Sequence, residues 1–322
     1  MRACRSLFLA AIPFFLAPAA PALAQGECAL KAMGHMDMYY DVGGRPMVRA
    51  SLNDVEKYLI LDTGGVYGML DRAIIEDLNL DTRRANVTIT GIAGDRSNEF
   101  VTLERFQMGN IWSAGRTFMV SPGDNGESSD IRPVGVIAPD VLAAYDADFD
   151  FAAGSFNLFS QDHCEGMVVY WLPRVVAVVP FEVDSSFHVR FPVTLDGVEL
   201  RALLDTGASI TVLNADVARR RLGIERDDAG SQQVGAIGEG GDREIYRRQF
   251  ESLQMEGIAV PAPVIHIYPD LMRTGLGRVL RFSDGRGLPD MIIGMNVLSK
   301  LHLYIAYGER RLYITRAADP AP

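Results

Sequence analysis

The chain of 322 residues repeats itself once, and both copies carry the same three-residue turn. In the second half, His188 to Leu195 alternate apolar and polar side chains. Asp196-Gly197 reads as a hairpin turn, and Val198 to Leu204 as the returning strand. That strand runs into Asp205-Thr206-Gly207-Ala208-Ser209. Asn214 then stands as N-cap for a helix over Ala215 to Leu222, closed by Gly223. In the first half Leu52, Val55, Glu56 and Leu61 occupy the places of Leu195, Val198, Glu199 and Leu204. Asp62-Thr63-Gly64-Gly65 follows, with a helix-like segment from Arg72 to Leu78. The offset of 143 residues holds from Leu52 through Leu70. Downstream, Thr90-Gly91-Ile92-Ala93-Gly94 and Val234-Gly235-Ala236-Ile237-Gly238 form a second matched pair of hairpin candidates. Each half closes alike: Val136-Ile137-Ala138-Pro139-Asp140-Val141-Leu142 matches Ile292-Ile293-Gly294-Met295-Asn296-Val297-Leu298, with a strand pattern ending near Leu158 or Ile314.

A repeat this long is no solenoid unit; it is the size of a small domain. The expected architecture is therefore all-β, with two homologous lobes over 25–165 and 181–316, a linker over 166–180 and a short tail over 317–322. Pro173 and Pro180 punctuate the linker, whose Val-rich middle also fits a strand between the lobes. The segments Ser121 to Pro133 and Asp270 to Pro289 break the repeat and read as surface loops.

Residues 1–24 stand apart. Arg2 and Arg5 precede an apolar run from Leu7 to Ala17, and Ala22-Leu23-Ala24 offers a small-residue cleavage site ahead of Gln25. This is the pattern of a signal peptide. The alternative, a single membrane anchor, is disfavoured by the shortness of the run. No later segment is long and apolar enough to span a bilayer, so the expected destination is periplasmic or secreted, without membrane insertion after cleavage. Cleavage removes Cys4 and leaves Cys28 and Cys164, which most simply form one disulfide; the alternative is two buried free thiols. The formal charge of −10 argues against nucleic acid or an anionic membrane as the main partner.

The chemistry lies in the two turns. A strand that delivers Asp-Thr-Gly into a tight turn leaves a carboxylate at its end. The glycine lets backbone approach that carboxylate, and the threonine hydroxyl can tie one loop to its twin. If the lobes pack about a pseudo-twofold axis, Asp62 and Asp205 face each other. Two carboxylates at about 3 Å cannot both ionise, so the pair shares a proton. One member then takes a proton from water while the other donates to a carbonyl.

Leu203-Leu204-Asp205-Thr206-Gly207-Ala208-Ser209 resembles the active-site signature of retropepsin-like aspartic proteases, and Ile292-Ile293-Gly294 resembles the motif that closes their fold around that loop. The resemblance implies two retropepsin- or pepsin-like β-barrel lobes in one chain, with the active site in the cleft between them. It implies an aspartic endopeptidase with Asp62 and Asp205 as the dyad, and Thr63, Gly64, Thr206, Gly207 and Ala208 as support. It also implies a hairpin flap over an extended peptide, for which Gly91, Ile92, Gly94 and Gly235, Ile237, Gly238 are the candidates. No metal or other cofactor is required, and a monomer suffices. Gly65 replaces the usual small residue with a side chain, Ala138-Pro139 stands where the first lobe should have glycine, and no Tyr lies near either flap tip. Because Gly65 and Ala208 lack hydroxyls, the expected working pH is mildly acidic to neutral; a rate optimum near pH 2 would contradict this.

Other signals carry less. The five histidines show no paired metal-ligand spacing, and no Gly-x-Ser-x-Gly turn makes Ser209 a nucleophile. Arg219-Arg220-Arg221 suits a helix end, and Met33, Met36 and Met38 suit packing. The rival reading is a catalytically impaired peptide- or protein-binding module of the cell envelope, motivated by the altered first lobe.

Overall fold

The computed structural model describes residues 28–90, 95–123, 131–171, 175–225, 228–237, 243–269 and 288–317. The expected signal peptide lies outside them.

Both halves build the hairpin read from the sequence. Pro46–Leu52 pairs antiparallel with Val55–Leu61, and Val189–Leu195 with Val198–Leu204. Each pair is joined by two residues at positive φ, Asn53-Asp54 and Asp196-Gly197. Left-handed residues at both central positions match the natural twist of the flanking strands. The second strand of each pair ends in three fully buried residues, Leu59-Ile60-Leu61 and Ala202-Leu203-Leu204. Burial on both faces means that these strands enter the interior, and there each hands over its Asp.

Beside each such strand runs a parallel partner from the end of the same half. Val55–Leu61 pairs with Pro133–Ile137, and Val198–Leu204 with Met291–Ile293. The partners in turn pair antiparallel with the short strands just after the Asp-Thr-Gly turns, Met69–Leu70 and Val212–Asn214. Those run parallel to Ile111–Val120 and Val264–Tyr268. The order of strands is thus the same in both lobes, and the two lobes are homologous all-β units. The helices among the described residues are short: Arg72–Asp77, Pro139–Leu142, Ala215–Leu222 and Met295–Leu298. Asn214 caps the third, its Oδ1 accepting the Asp216 amide at 2.8 Å, and Gly223 closes it at φ 68°.

A further sheet belongs to neither lobe alone. Its order is Ala32–Asp37, Ser155–Phe159, Asp146–Asp150, Leu301–Ala306, Arg311–Arg316, Ala177–Pro180. The seam between the halves is the antiparallel pair Asp146–Asp150 with Leu301–Ala306, where Phe149 faces Leu303. Ala177–Pro180, from the stretch between the halves, is a strand on the edge beside Arg311–Arg316. Cys28 and Cys164 form a disulfide that ties the stretch before Ala32–Asp37 to the connection between Ser155–Phe159 and Ala177–Pro180. No helix among the described residues is long and apolar enough to cross a membrane.

Candidate active site

The two Asp-Thr-Gly turns meet at the junction of the lobes. Each backbone is anchored from below: the Asp62 amide donates to Ile137 O at 2.9 Å and the Asp205 amide to Ile293 O at 3.1 Å. The turns are then locked to each other. The Thr63 amide donates to Thr206 Oγ1 (3.1 Å) and the Thr206 amide to Thr63 Oγ1 (3.0 Å). Each hydroxyl passes its own hydrogen across the interface, Thr63 to Leu204 O (3.0 Å) and Thr206 to Leu61 O (2.6 Å). Both threonines are fully buried. Both amides and both hydroxyls of the pair are therefore used, and either side chain without the other would leave buried groups unmatched.

The glycines are crossed in the same way. A Cβ added at Gly64 would fall on the Asp205 carboxylate, 2.5 Å from Oδ2, and one added at Gly207 on the Asp62 carboxylate, 2.9 Å from Oδ2. Each turn thus packs its bare backbone against the other turn's acid. Gly64 N donates to Asp62 Oδ1 (3.0 Å) and Ala208 N to Asp205 Oδ1 (3.0 Å). The two carboxylates act directly on one another's charge. Both keep partial solvent access.

Burial raises both acids above the ordinary carboxylate range. Asp205 is pushed well up, by burial and then by the Asp62 charge. For Asp62 the rise due to burial is opposed by the Gly64 and Gly65 amides and by His188. Burial and the neighbouring charge thus favour one shared proton on the pair.

The two lobes support these turns differently. In the second, Gly294 sits so tightly that an added Cβ would lie 2.7 Å from Ala208 O, and the Met295 amide donates to that same carbonyl at 2.8 Å. The Thr211 hydroxyl and amide both bond Asn296 Oδ1 (2.8 and 2.7 Å). In the first lobe the small residue has changed sides: Ala138 takes the backbone conformation of Gly294, and Gly65 leaves room for its Cβ. Asp140 stands for Asn296, accepting the Gly68 amide at 2.9 Å and pairing with Arg116 Nη2 at 2.7 Å. Pro139, in the place of Met295, has no amide hydrogen to offer Gly65 O. His188 Nε2 bonds that carbonyl instead, at 3.1 Å.

Of the expected flap residues, Gly235 and Ile237 lie in the strand Ser231–Ile237, paired with Ile245 and Arg243. Gly91, Ile92, Gly94 and Gly238 lie outside the described residues. Both hairpins exist as strand pairs, Arg83–Thr90 with Arg96–Met108 and Ser231–Ile237 with Arg243–Gln249.

Sequence reasoning passed over the loops that cross from each lobe to the other's turn. Asp41 Oδ1 accepts the Gly43 and Arg45 amides, and its Oδ2 the Arg45 guanidinium. Asp184 Oδ1 accepts the Ser186 and His188 amides, and its Oδ2 faces His188 Nδ1. The same offset of 143 residues relates Asp41 to Asp184 and Arg45 to His188, so the repeat begins eleven residues earlier than Leu52. Running that offset upstream from the Asp-Thr-Gly turns was the available signal.

Known proteins agree with this geometry. A family model described as aspartyl protease matches residues 48–133 and 191–297, more than half of the chain. Among solved structures, the aspartic proteinase from Irpex lacteus aligns with a TM-score of 0.52 at 12% identity, covering 88% of this chain and 97% of its own. Basic 7S globulin from soybean aligns with a TM-score of 0.50 at 8% identity, covering 90% and 96%. A search of curated proteins finds no match. Identities this low speak for the fold alone, whereas the family match falls on the two turns and their surroundings in both lobes. The chain belongs to the retropepsin-like aspartyl protease family.

Proposed function

We propose that the chain is an active endopeptidase, in which Asp62 and Asp205 hydrolyse a peptide bond held in the cleft between the lobes. The observation that carries the reading is the crossed packing of each turn's glycine on the other turn's carboxylate. Asp62, the ionised member, takes a proton from a water lying between the two acids. Asp205, the protonated member, donates to the carbonyl oxygen of the substrate as the water attacks. A proton passed to the amide nitrogen then expels the amine, and the dyad returns to its starting state. The threonine lock keeps the acids in register throughout. The hairpins at Gly91–Gly94 and Gly235–Gly238 are the proposed flaps, the substrate an extended segment of protein, and the working unit a monomer. Residues 1–24 would export the chain to a periplasmic or secreted location, where the disulfide persists.

The test is cleavage of a diverse peptide library by protein beginning at Gln25, between about pH 3 and 8, beside Asp62→Asn and Asp205→Asn. Cutting by the wild type that disappears in both variants supports the dyad. Folded wild-type protein that binds peptide without cutting it moves the chain to the binding-module reading. Cutting that survives either substitution refutes the assignment.

A further inference from the structure

His188 is fully buried, and both ring nitrogens are engaged: Nδ1 faces Asp184 Oδ2 at 2.8 Å and Nε2 faces Gly65 O at 3.1 Å. A carbonyl only accepts, so Nε2 carries a hydrogen. Asp184 is ringed by donors, the Ser186 amide (2.8 Å), the His188 amide (3.2 Å) and Arg190 Nη2 (3.1 Å), which is the setting of a carboxylate. Against a carboxylate, Nδ1 carries a hydrogen as well. The hydrogen bonds therefore fit an imidazolium, a buried cation one residue removed from Asp62. Nothing equivalent is needed beneath Asp205, because the Ala208 carbonyl is satisfied by the Met295 amide.

We propose that His188, held by Asp184, is a positioning residue that braces the Gly65 carbonyl and keeps Asp62 the ionised member of the dyad. The asymmetry of the pair then follows from two sequence differences between the lobes, Pro139 in the place of Met295 and His188 in the place of Arg45. Proline at 139 withdraws a backbone donor from the first active-site turn, and the second lobe's loop replaces it with a donor that also bears charge. Gly65 transmits the effect: its carbonyl takes the His188 hydrogen, its amide bonds Asp62, and an added Cβ there would lie 2.9 Å from Asp62 Oδ2. Among the described residues Asp184 pairs with His188 directly, Arg190 bonds the same Asp184 carboxylate, and the His188 charge reaches Asp62. The burial of Asp184 would raise it, yet the His188 hydrogen bond and charge hold it below its ordinary value, as expected of the anionic half of such a pair.

The inference rests on the dyad reading but is tested without needing turnover. Carbon-13 NMR of the aspartate carboxyls, from about pH 3 to 9, reads the two titration steps of the dyad in wild type, His188→Gln and Asp184→Asn. The glutamine can still donate to Gly65 O but brings no charge. The asparagine keeps the loop's acceptor while removing the anion that holds the cation. The expected result is an upward move of the first step by about one pH unit in His188→Gln, with the same direction in Asp184→Asn. If peptides are cut, the acidic limb of kcat/KM moves up by the same amount, which a purely structural role would not produce. If His188→Gln does not fold, Asp184→Asn alone decides. An unmoved first step in the folded variants overturns the proposal. A wild type that cuts nothing yet shows the shift leaves the proposal standing and counts only against the peptidase reading.

Discussion

At the scale of single residues, the site depends on absent atoms as much as on present ones. A methyl group on Gly207 would occupy the space of the Asp62 carboxylate. Since the threonine lock fixes the backbone on both sides, the acid has to move. A displacement of about 1 Å at a reacting group costs about a hundredfold in rate. Gly207→Ala is therefore expected to fold, and to lower kcat/KM by about that factor against a peptide the wild type cleaves. Wild-type kinetics would show that the crossed packing is not required. The aspartates and their glycines were legible in the sequence because the turn that makes them is local and occurs twice. His188 was not. Its part is set by a proline far away in the chain, and the loop repeat that contains it has kept only the aspartate, with Arg45 and His188 exchanged at the responding position.

At the scale of elements, the second-half hairpin, Val189–Leu195 with Val198–Leu204, and the helix Ala215–Leu222 could be read to within a residue, since period-two alternation, two-residue turns and caps are local signals. The sheet between the lobes could not. Asp146, Asp148 and Asp150 alternate along one strand, which in isolation looks like a solvated face, yet Asp146 and Asp148 are fully buried. Partners that only the folded chain assembles make this tolerable. Asp148 accepts from His302 Nε2 (2.7 Å), Asn157 Nδ2 (2.9 Å) and Tyr170 Oη (2.5 Å). Asp146 accepts the Tyr307 amide (2.9 Å) and faces His163 Nε2 (2.6 Å). Trp171 stacks on His302, centroids 4.1 Å apart, and its indole Nε1 donates to Thr315 Oγ1 at 3.2 Å, closing the cluster. Removing one acid leaves several donors around a buried position without their acceptor. Asp148→Ala is expected to lose about 3–5 kcal/mol in urea unfolding. A loss below about 1 kcal/mol would show that the cluster relaxes freely.

For the whole molecule, the same groups decide how stability follows pH. Asp62, Asp205, Asp140 and Asp146 are all raised, in each case first by burial, although Arg116 and His163 pull the last two back. Burial also opposes the charge on His163, but its hydrogen bonds to Asp146 and the Cys164 carbonyl, with the Asp146 and Glu309 charges, more than compensate and hold it above its usual value. A group raised on folding binds its proton more tightly in the native state. Its contribution is complete below its unfolded value and is lost as pH rises through the folded one. Asp184 and the half-buried His266 go the other way: both are lowered, His266 by burial and then by the Arg247 charge, so each contributes stability present above its unfolded value and lost as pH falls through its folded one. With Asp62, Asp205, Asp140, Asp146 and His163 raised against these two, the sum favours acid down to the ordinary carboxylate range of about pH 4. The melting temperature is therefore expected to rise as pH is lowered from about 8 to about 5, by several degrees in a chain where about 1 kcal/mol moves it by about 2 °C. Asp205→Asn preserves the shape of the site and removes the acid that burial and its neighbour raise furthest, so it should flatten that slope. A wild-type maximum near pH 8, or a slope that the substitution leaves intact, would mean that the dyad's protons are not part of what the fold is balanced against.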